Sequence, residues 1–310
     1  DADYEVAYTA GLLCYNCMPS TALRNVFDDL GGGVLMSATL EPLDVFQHVS
    51  GLSFLRDGGP DRDPRFVKAA TYGLTFPADN RASYLVDCRP FTARNRGDPE
   101  SMRPLGETWN PTRDEYAHAL RALARSPGNV LVAMPNYREA AWAGAYLDDA
   151  VDKPVLVDES SSNDATNRLK QRFYDGPGKV LVTSARGTLT EGVDYDGEKL
   201  STCAVVGIPL VNIGSPRVRG VKRAYGDAFG EDVAFEYALT VPAVRRARQA
   251  IGRVIRGAEE VGVRAFVGRR YCPEARHSVY EFLPENEREE FTQLTPEFLA
   301  DQLDRFWDRP

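Results

Sequence analysis

Four side chains in one short segment, VPAVRRARQAIGRVIRG at residues 241–257, could do phosphate chemistry. Wound as a helix at about 100° per residue, Arg245, Gln249, Arg253 and Arg256 fall on one face about 80° wide. Val244, Ala247, Ala250, Ile251, Val254 and Ile255 take the opposite arc. Pro242 suits a first turn and Gly257 a C-terminal cap, so the spacing predicts a helix through residue 256. An ordinary surface helix with a solvated Arg face has the same pattern. Two features favour chemistry. The segment contains no carboxylate to pair with the cations, and Gln249 is a neutral group able to place a water or a phosphate oxygen. Guanidinium forks fit polyphosphates and the charge that develops in phosphoryl transfer.

Other segments offer weaker constellations. GTLTEGVDYDG (187–197) puts Gly187, Glu191 and Asp194 in a turn-rich stretch, where carboxylates could meet a ribose, a metal-bound water or an Arg, or could simply form a loop. In VLMSATLEPLD (34–44), Ser37 and Thr39 are small hydroxyls after an apolar run, equally suited to capping the next helix. Asn136 and Tyr137 open a helix after LVAMP; Asn136 is a natural cap, and the helix N-terminus could also hold a backbone phosphate. Arg217, Arg219, Lys222 and Arg223 form a basic cluster that reads as a loop containing Gly214 and Pro216, either solvated or in contact with phosphate. No metal site is expected. His48, His118 and His277 are scattered, Cys14 and Cys17 form a lone CxxC, and the other three Cys stand apart. No GxSxG elbow or paired nucleophile and base is present.

The elements that must carry these residues follow from short Val-, Leu- and Ile-rich runs near 84–88, 129–134, 154–157, 179–183, 202–207 and 263–268. Helical patterns lie near 112–126, 137–149, 163–174 and 241–256. That alternation predicts βαβ units and a mostly parallel sheet covered on both faces. In such sheets ligands lie outside the carboxyl ends of the strands. Residues 27–40, around VLM, read as a further strand, Arg56 to Pro64 as a linker, and 285–307 as a docking helix pair. The chain has 37 basic and 45 acidic side chains, a net charge of −8, and only six of the basic residues are Lys. This argues against an indiscriminately basic nucleic-acid coat. It suits a high-salt prokaryotic cytoplasm such as that of a halophilic archaeon. Five Cys favour a reducing compartment over a disulfide framework. No apolar run is long enough to span a membrane. The opening DADYEVAYTA reads as a cut within a longer protein.

SATLEP (37–42), LVAMPNY (131–137), GTLTEGVDY (187–195), VVGIPL (205–210) and QAIGRVIR (249–256) resemble, in order and spacing, motifs III to VI of the XPD/DinG-type superfamily 2 DNA helicases. YNCMPSTALRNVFDDLG, FPADNR (76–81) and FVGRRY (266–271) fit the same pattern, so the resemblance covers nearly the whole chain. It implies an α/β, RecA-like (P-loop NTPase-type) fold without its own Walker A loop. Residues 1–55 would close a first RecA-like domain and 56–310 would form the second. The activity implied is that of an ATP-dependent DNA helicase, of the kind used in DNA repair, moving 5′→3′ on single-stranded DNA. Arg253 and Arg256 would reach the γ-phosphate of ATP held between the two domains, with Gln249 orienting the site. Gly187, Glu191 and Asp194 would couple nucleotide to DNA, Ser37 and Thr39 would relay between domains, and Asn136 and Tyr137 would lie along the strand, with Arg217 and Arg219 as further DNA contacts.

Departures from the family pattern also carry expectations. No G-x-x-x-x-G-K-[ST] loop and no Asp-Glu-Ala-His box occurs, so ATP and Mg²⁺ are expected mainly on an N-terminal RecA-like domain outside this chain, and the fragment alone is expected to be inactive. A 4Fe-4S cluster, where the parent has one, belongs upstream too. Gly268 stands where the family's D-x-R-[FY] signature has its acid, ahead of Arg270 and Tyr271. Two other readings remain: a non-catalytic nucleic-acid-binding module with the helicase fold, or an unrelated nucleotide-binding enzyme, which would need a diphosphate-binding Gly turn that the sequence lacks.

Overall fold

Alternating side chains on each strand need apolar cover on two sides, and the chain provides it. A computed structural model describes residues 14–60, 63–73, 76–99, 110–159, 162–195 and 197–309. Its strands are β1 (Arg81–Val86), β2 (Val130–Met134), β3 (Val155–Val157), β4 (Val180–Ser184), β5 (Thr202–Val206), β6 (Gly262–Val267) and β7 (Thr292–Leu294). They form one sheet in the order β3-β4-β2-β5-β6-β1-β7, and every pairing is parallel. Val130, Val132 and Met134 of β2 face α1 (Pro111–Ala124), α2 (Tyr137–Ala150) and α6 (Pro296–Trp307). Leu131 and Ala133 face α3 (Asn163–Tyr174), α4 (Thr188–Glu191) and α5 (Val241–Ile251). This is the mostly parallel α/β architecture expected of a RecA-like domain.

The described chain divides into two compact units. The sheet belongs to one, made of Leu35–Leu43, Ala69–Val211 and Leu239–Pro310. The other takes the described parts of Asp1–Val34, Asp44–Lys68 and Asn212–Ala238. Compactness therefore does not follow a single division after residue 55. The second unit is helical, with Ser20–Asp28, Leu52–Asp57 and Pro216–Phe229 among its helices. Arg65 donates to the carbonyls of Phe27, Asp28 and Leu30, satisfying the end of the first of these. Gly51 is left-handed at φ 80°, and a Cβ there would stand 2.4 Å from the Ser20 carbonyl oxygen.

Four local expectations are corrected. The VLM run is not a strand: Val34 and Met36 are 83% and 86% exposed, with no partner strand. The helix from 241 stops at Ile251, five residues early. The basic cluster is helical rather than looped, because Ser215 caps and Pro216 opens the helix that carries it. The tail contains the short strand β7 between the helices Glu285–Glu290 and α6.

Candidate functional site

The amphipathic pattern of α5 buries Val244, Ala247, Ala250 and Ile251 against the sheet. Beyond Gly252 the chain turns tightly, with Arg253 N bonding Ala250 O and Val254 N bonding Ile251 O. Val254 and Ile255 still reach the core, but from this turn. The four expected phosphate-facing residues are thus split: Arg245 and Gln249 are on the helix, and Arg253 and Arg256 are past its end. The turn leads to the amino edge of the sheet, where Asn80, just ahead of β1, donates to Ala258 O at 2.8 Å. It does not lie at the carboxyl tips.

On the helix, Arg245 donates to the carbonyls of Leu40 (2.5 Å), Glu41 (2.7 Å) and Pro42 (3.3 Å). Gln249 Nε2 donates to Thr39 Oγ1 at 3.0 Å. Arg248 donates to Ala38 O at 3.3 Å and forks onto Glu287 at 2.8 and 2.9 Å. One helix therefore clasps residues 38–42 through three side chains. Thr39 is buried, whereas Ser37 is exposed and reaches it across 3.4 Å. Sequence reasoning missed Arg248, which sits off the expected face and finds its acid 39 residues away.

In the turn, Arg253 is half-buried and donates through Nε to Thr190 O at 2.7 Å and through Nη1 to Val193 O. Burial and the neighbouring Arg256 lower its pKa. Arg256 pairs with Asp194, whose exposed carboxyl the guanidinium holds below the usual carboxylate range. The expected row of acid-free cations is therefore contradicted here: Arg256 has an acid, supplied by another motif. Backbone carbonyls satisfy Arg253. The side chain of Glu191, the other acidic candidate, lies outside the described residues.

The segment 187–195 spans the depth of the sheet. At its start, after β4, a Cβ on Gly187 would meet Tyr137 Oη at 2.9 Å and Ser184 O at 3.1 Å, so only glycine lets the backbone pass. Asn136 caps α2 by accepting from Glu139 N at 3.0 Å. Asn136, Tyr137 and Gly187 thus share the carboxyl edge, while Asp194 lies with Arg256 near the amino edge. Behind Gly187, buried Asp158 accepts from Thr183 Oγ1 at 2.7 Å, a support the sequence did not flag. Arg217 and Arg219 belong to the helical unit and are exposed; the Arg217 guanidinium lies 4.1 Å from the centre of the Tyr15 ring.

Comparison with known proteins identifies the family of the chain. A family model described as the helicase C-terminal domain matches residues 119–286, more than half of the chain. The general transcription and DNA repair factor IIH helicase subunit XPD of Dictyostelium discoideum is 33% identical over 265 residues, covering 81% of this chain and 31% of its own length. The XPD/RAD3 subunit of Saccharomyces cerevisiae is 23% identical over 282 residues, covering 84% and 32%. The chain thus spans about a third of the length of these relatives. A solved XPD helicase structure overlaps at TM-score 0.49 and 18% identity, covering 69% of this chain and 35% of that one. By the family model, and with XPD subunits among its relatives, the chain belongs to the helicase C-terminal domain family.

Proposed function

We propose that this chain is the arginine-finger half of an ATP-dependent DNA helicase that tracks 5′→3′ on single-stranded DNA. A RecA-like domain outside it would hold ATP, with residues 1–55 closing that domain. The observation that carries this reading is the pairing of motif VI with motif V: Arg253 anchors the backbone of Thr190 and Val193, and Arg256 pairs with the exposed carboxylate of Asp194. A surface pair of this kind contributes little stability. A γ-phosphate presented by another domain could therefore replace Asp194 on Arg256 without disturbing the fold, and Arg253 would keep the turn in place. Motif V would feel the exchange through Asp194 and carry it across the sheet to Gly187 and Tyr137 at the strand's path. Gln249, fixed on Thr39, would report the same event to motif III.

Among the described residues no group of three or more His, Cys, Asp or Glu could hold a metal ion. In this reading Mg²⁺ and any 4Fe-4S cluster are assigned to the preceding domain. No helix among the described residues is long and apolar enough to cross a membrane. The purified chain is expected to show no measurable ATP hydrolysis, because a guanidinium without a phosphate loop has no bound nucleotide to act on. Steady turnover that persists in Arg253→Ala would overturn the proposal.

A further inference from the structure

A cavity of about 160 Å³ opens at the carboxyl ends of β1, β5 and β6, away from the motif VI turn. Its lining includes Phe91, Tyr116, Gly207, Gly268, Arg270 and Tyr271. Two neighbouring strands end there in left-handed glycines, Gly207 at φ 60° and Gly268 at φ 141°. A Cβ on Gly268 would stand 2.9 Å from Tyr116 Oη and 3.7 Å from Gly207 Cα. Glycine is therefore required by the backbone, and the notch stays unfilled as a consequence. The two tyrosines are fully buried and their hydroxyls are engaged, Tyr116 with Arg89 O and Tyr271 with Gly207 O, each at 2.9 Å. They form a floor and offer the cavity no free donor.

The charge at this rim is uneven. Arg269 pairs with Asp87 at 2.7 Å and Arg89 with Glu115 at 3.2 Å. Arg270 has no carboxylate partner among the described residues. It donates through Nε to His277 O at 3.0 Å, a carbonyl presented by a residue that is itself left-handed at φ 58°. Burial lowers its pKa, the sign of a cation taken from water without a compensating anion. A half-buried guanidinium lining an open notch is suited to an oxyanion, since its remaining N–H groups can fork onto two oxygens.

We infer that this notch is a phosphate subsite in which Arg270 binds one phosphodiester of a single-stranded DNA. The inference rests on the single-strand reading above and adds a site to it. The cavity shares its edge with Asn136, Tyr137 and Gly187. From β4 through β2 and β5 to β6 is three strand spacings, about 14 Å along that edge. A strand lying over Gly187 therefore needs only a few nucleotides to reach Arg270.

The test is fluorescence anisotropy of a labelled oligothymidylate with the full 310-residue chain over a KCl series. Arg270→Gln is expected to make the slope of log affinity against log salt shallower by about 0.7, the signature of one lost single-strand phosphate contact. Binding at low salt should weaken about tenfold. Should that variant melt early, Arg270→Lys carries the test: it keeps the charge and the slope but loses the fork, and binding should still weaken. Wild-type binding with an unaltered slope in Arg270→Gln, or unaltered affinity in Arg270→Lys, overturns the subsite alone. No wild-type binding at any salt overturns the single-strand reading and the subsite with it. Displacement of the oligomer by inorganic phosphate at constant ionic strength, lost in Arg270→Gln, would make free phosphate the occupant and overturn the strand assignment.

Discussion

Guanidinium groups at the two edges of the sheet are held in different ways. On α5 and the turn after it, Arg245 and Arg253 bond backbone carbonyls, Arg248 is locked to Glu287, and Arg256 holds an exposed carboxylate. At the carboxyl edge Arg269 and Arg89 pair with Asp87 and Glu115, whereas Arg270 bonds the His277 carbonyl and has no acid among the described residues. A cation bonded to carbonyls stiffens the loop that supplies them. One matched to a buried acid is part of the core, and one matched to an exposed acid can be drawn off by a stronger anion. A cation with no acid at all is ready for a ligand. Charge type and spacing do not separate these cases, but the partners do.

The contrast can be broken from its structural end. Arg248 and Glu287 are 5% and 17% exposed, so Glu287→Ala leaves an uncompensated buried charge. A loss of about 3–5 kcal/mol in chemical denaturation is expected. An unchanged midpoint would mean that Arg248 is not held by this pair. Arg245→Ala should cost less, about 1.5–3 kcal/mol. It should also release residues 38–42 to proteolysis while the sheet stays protected. Equal protection of that segment in the variant would remove the clasp from the description. Smallest is Asp194→Asn, which should leave the unfolding midpoint where it is. The same pair has a pH signature. Because Arg256 depresses the folded-state pKa of Asp194, the pairing is complete above the ordinary carboxylate pKa and is lost as pH falls through the depressed value. An NMR titration of Asp194 should therefore move up to the ordinary range in Arg256→Ala; a titration that does not move would rule out the pair in solution.

Much of the sheet could be read in advance because its strands are parallel and the five long ones, β1, β2, β4, β5 and β6, are largely buried on both faces, leaving apolar runs. β7 escaped notice because it is three residues long, TQL, and mostly exposed at the edge. The end of α5 was misread for a physical reason. Val254 and Ile255 keep the helical spacing of apolar residues, yet they reach the core from a tight turn after Gly252, so periodicity alone could not show the stop. Around VLM, apolar composition without burial misled in the other direction. The Ser215–Pro216 start was visible in the sequence, and the neighbouring Gly214 hid it. Motif residues were found by type and spacing, but their partners were not: Arg248 to Glu287 and Arg256 to Asp194 join segments 39 and 62 residues apart.

The most direct measurement is single-strand-stimulated ATP turnover by the full-length parent enzyme carrying Arg256→Ala. If this guanidinium meets the transferring phosphate, turnover should fall about 10³-fold while the affinity for single-stranded DNA is retained. Turnover close to that of the parent would contradict the role given to the turn after α5.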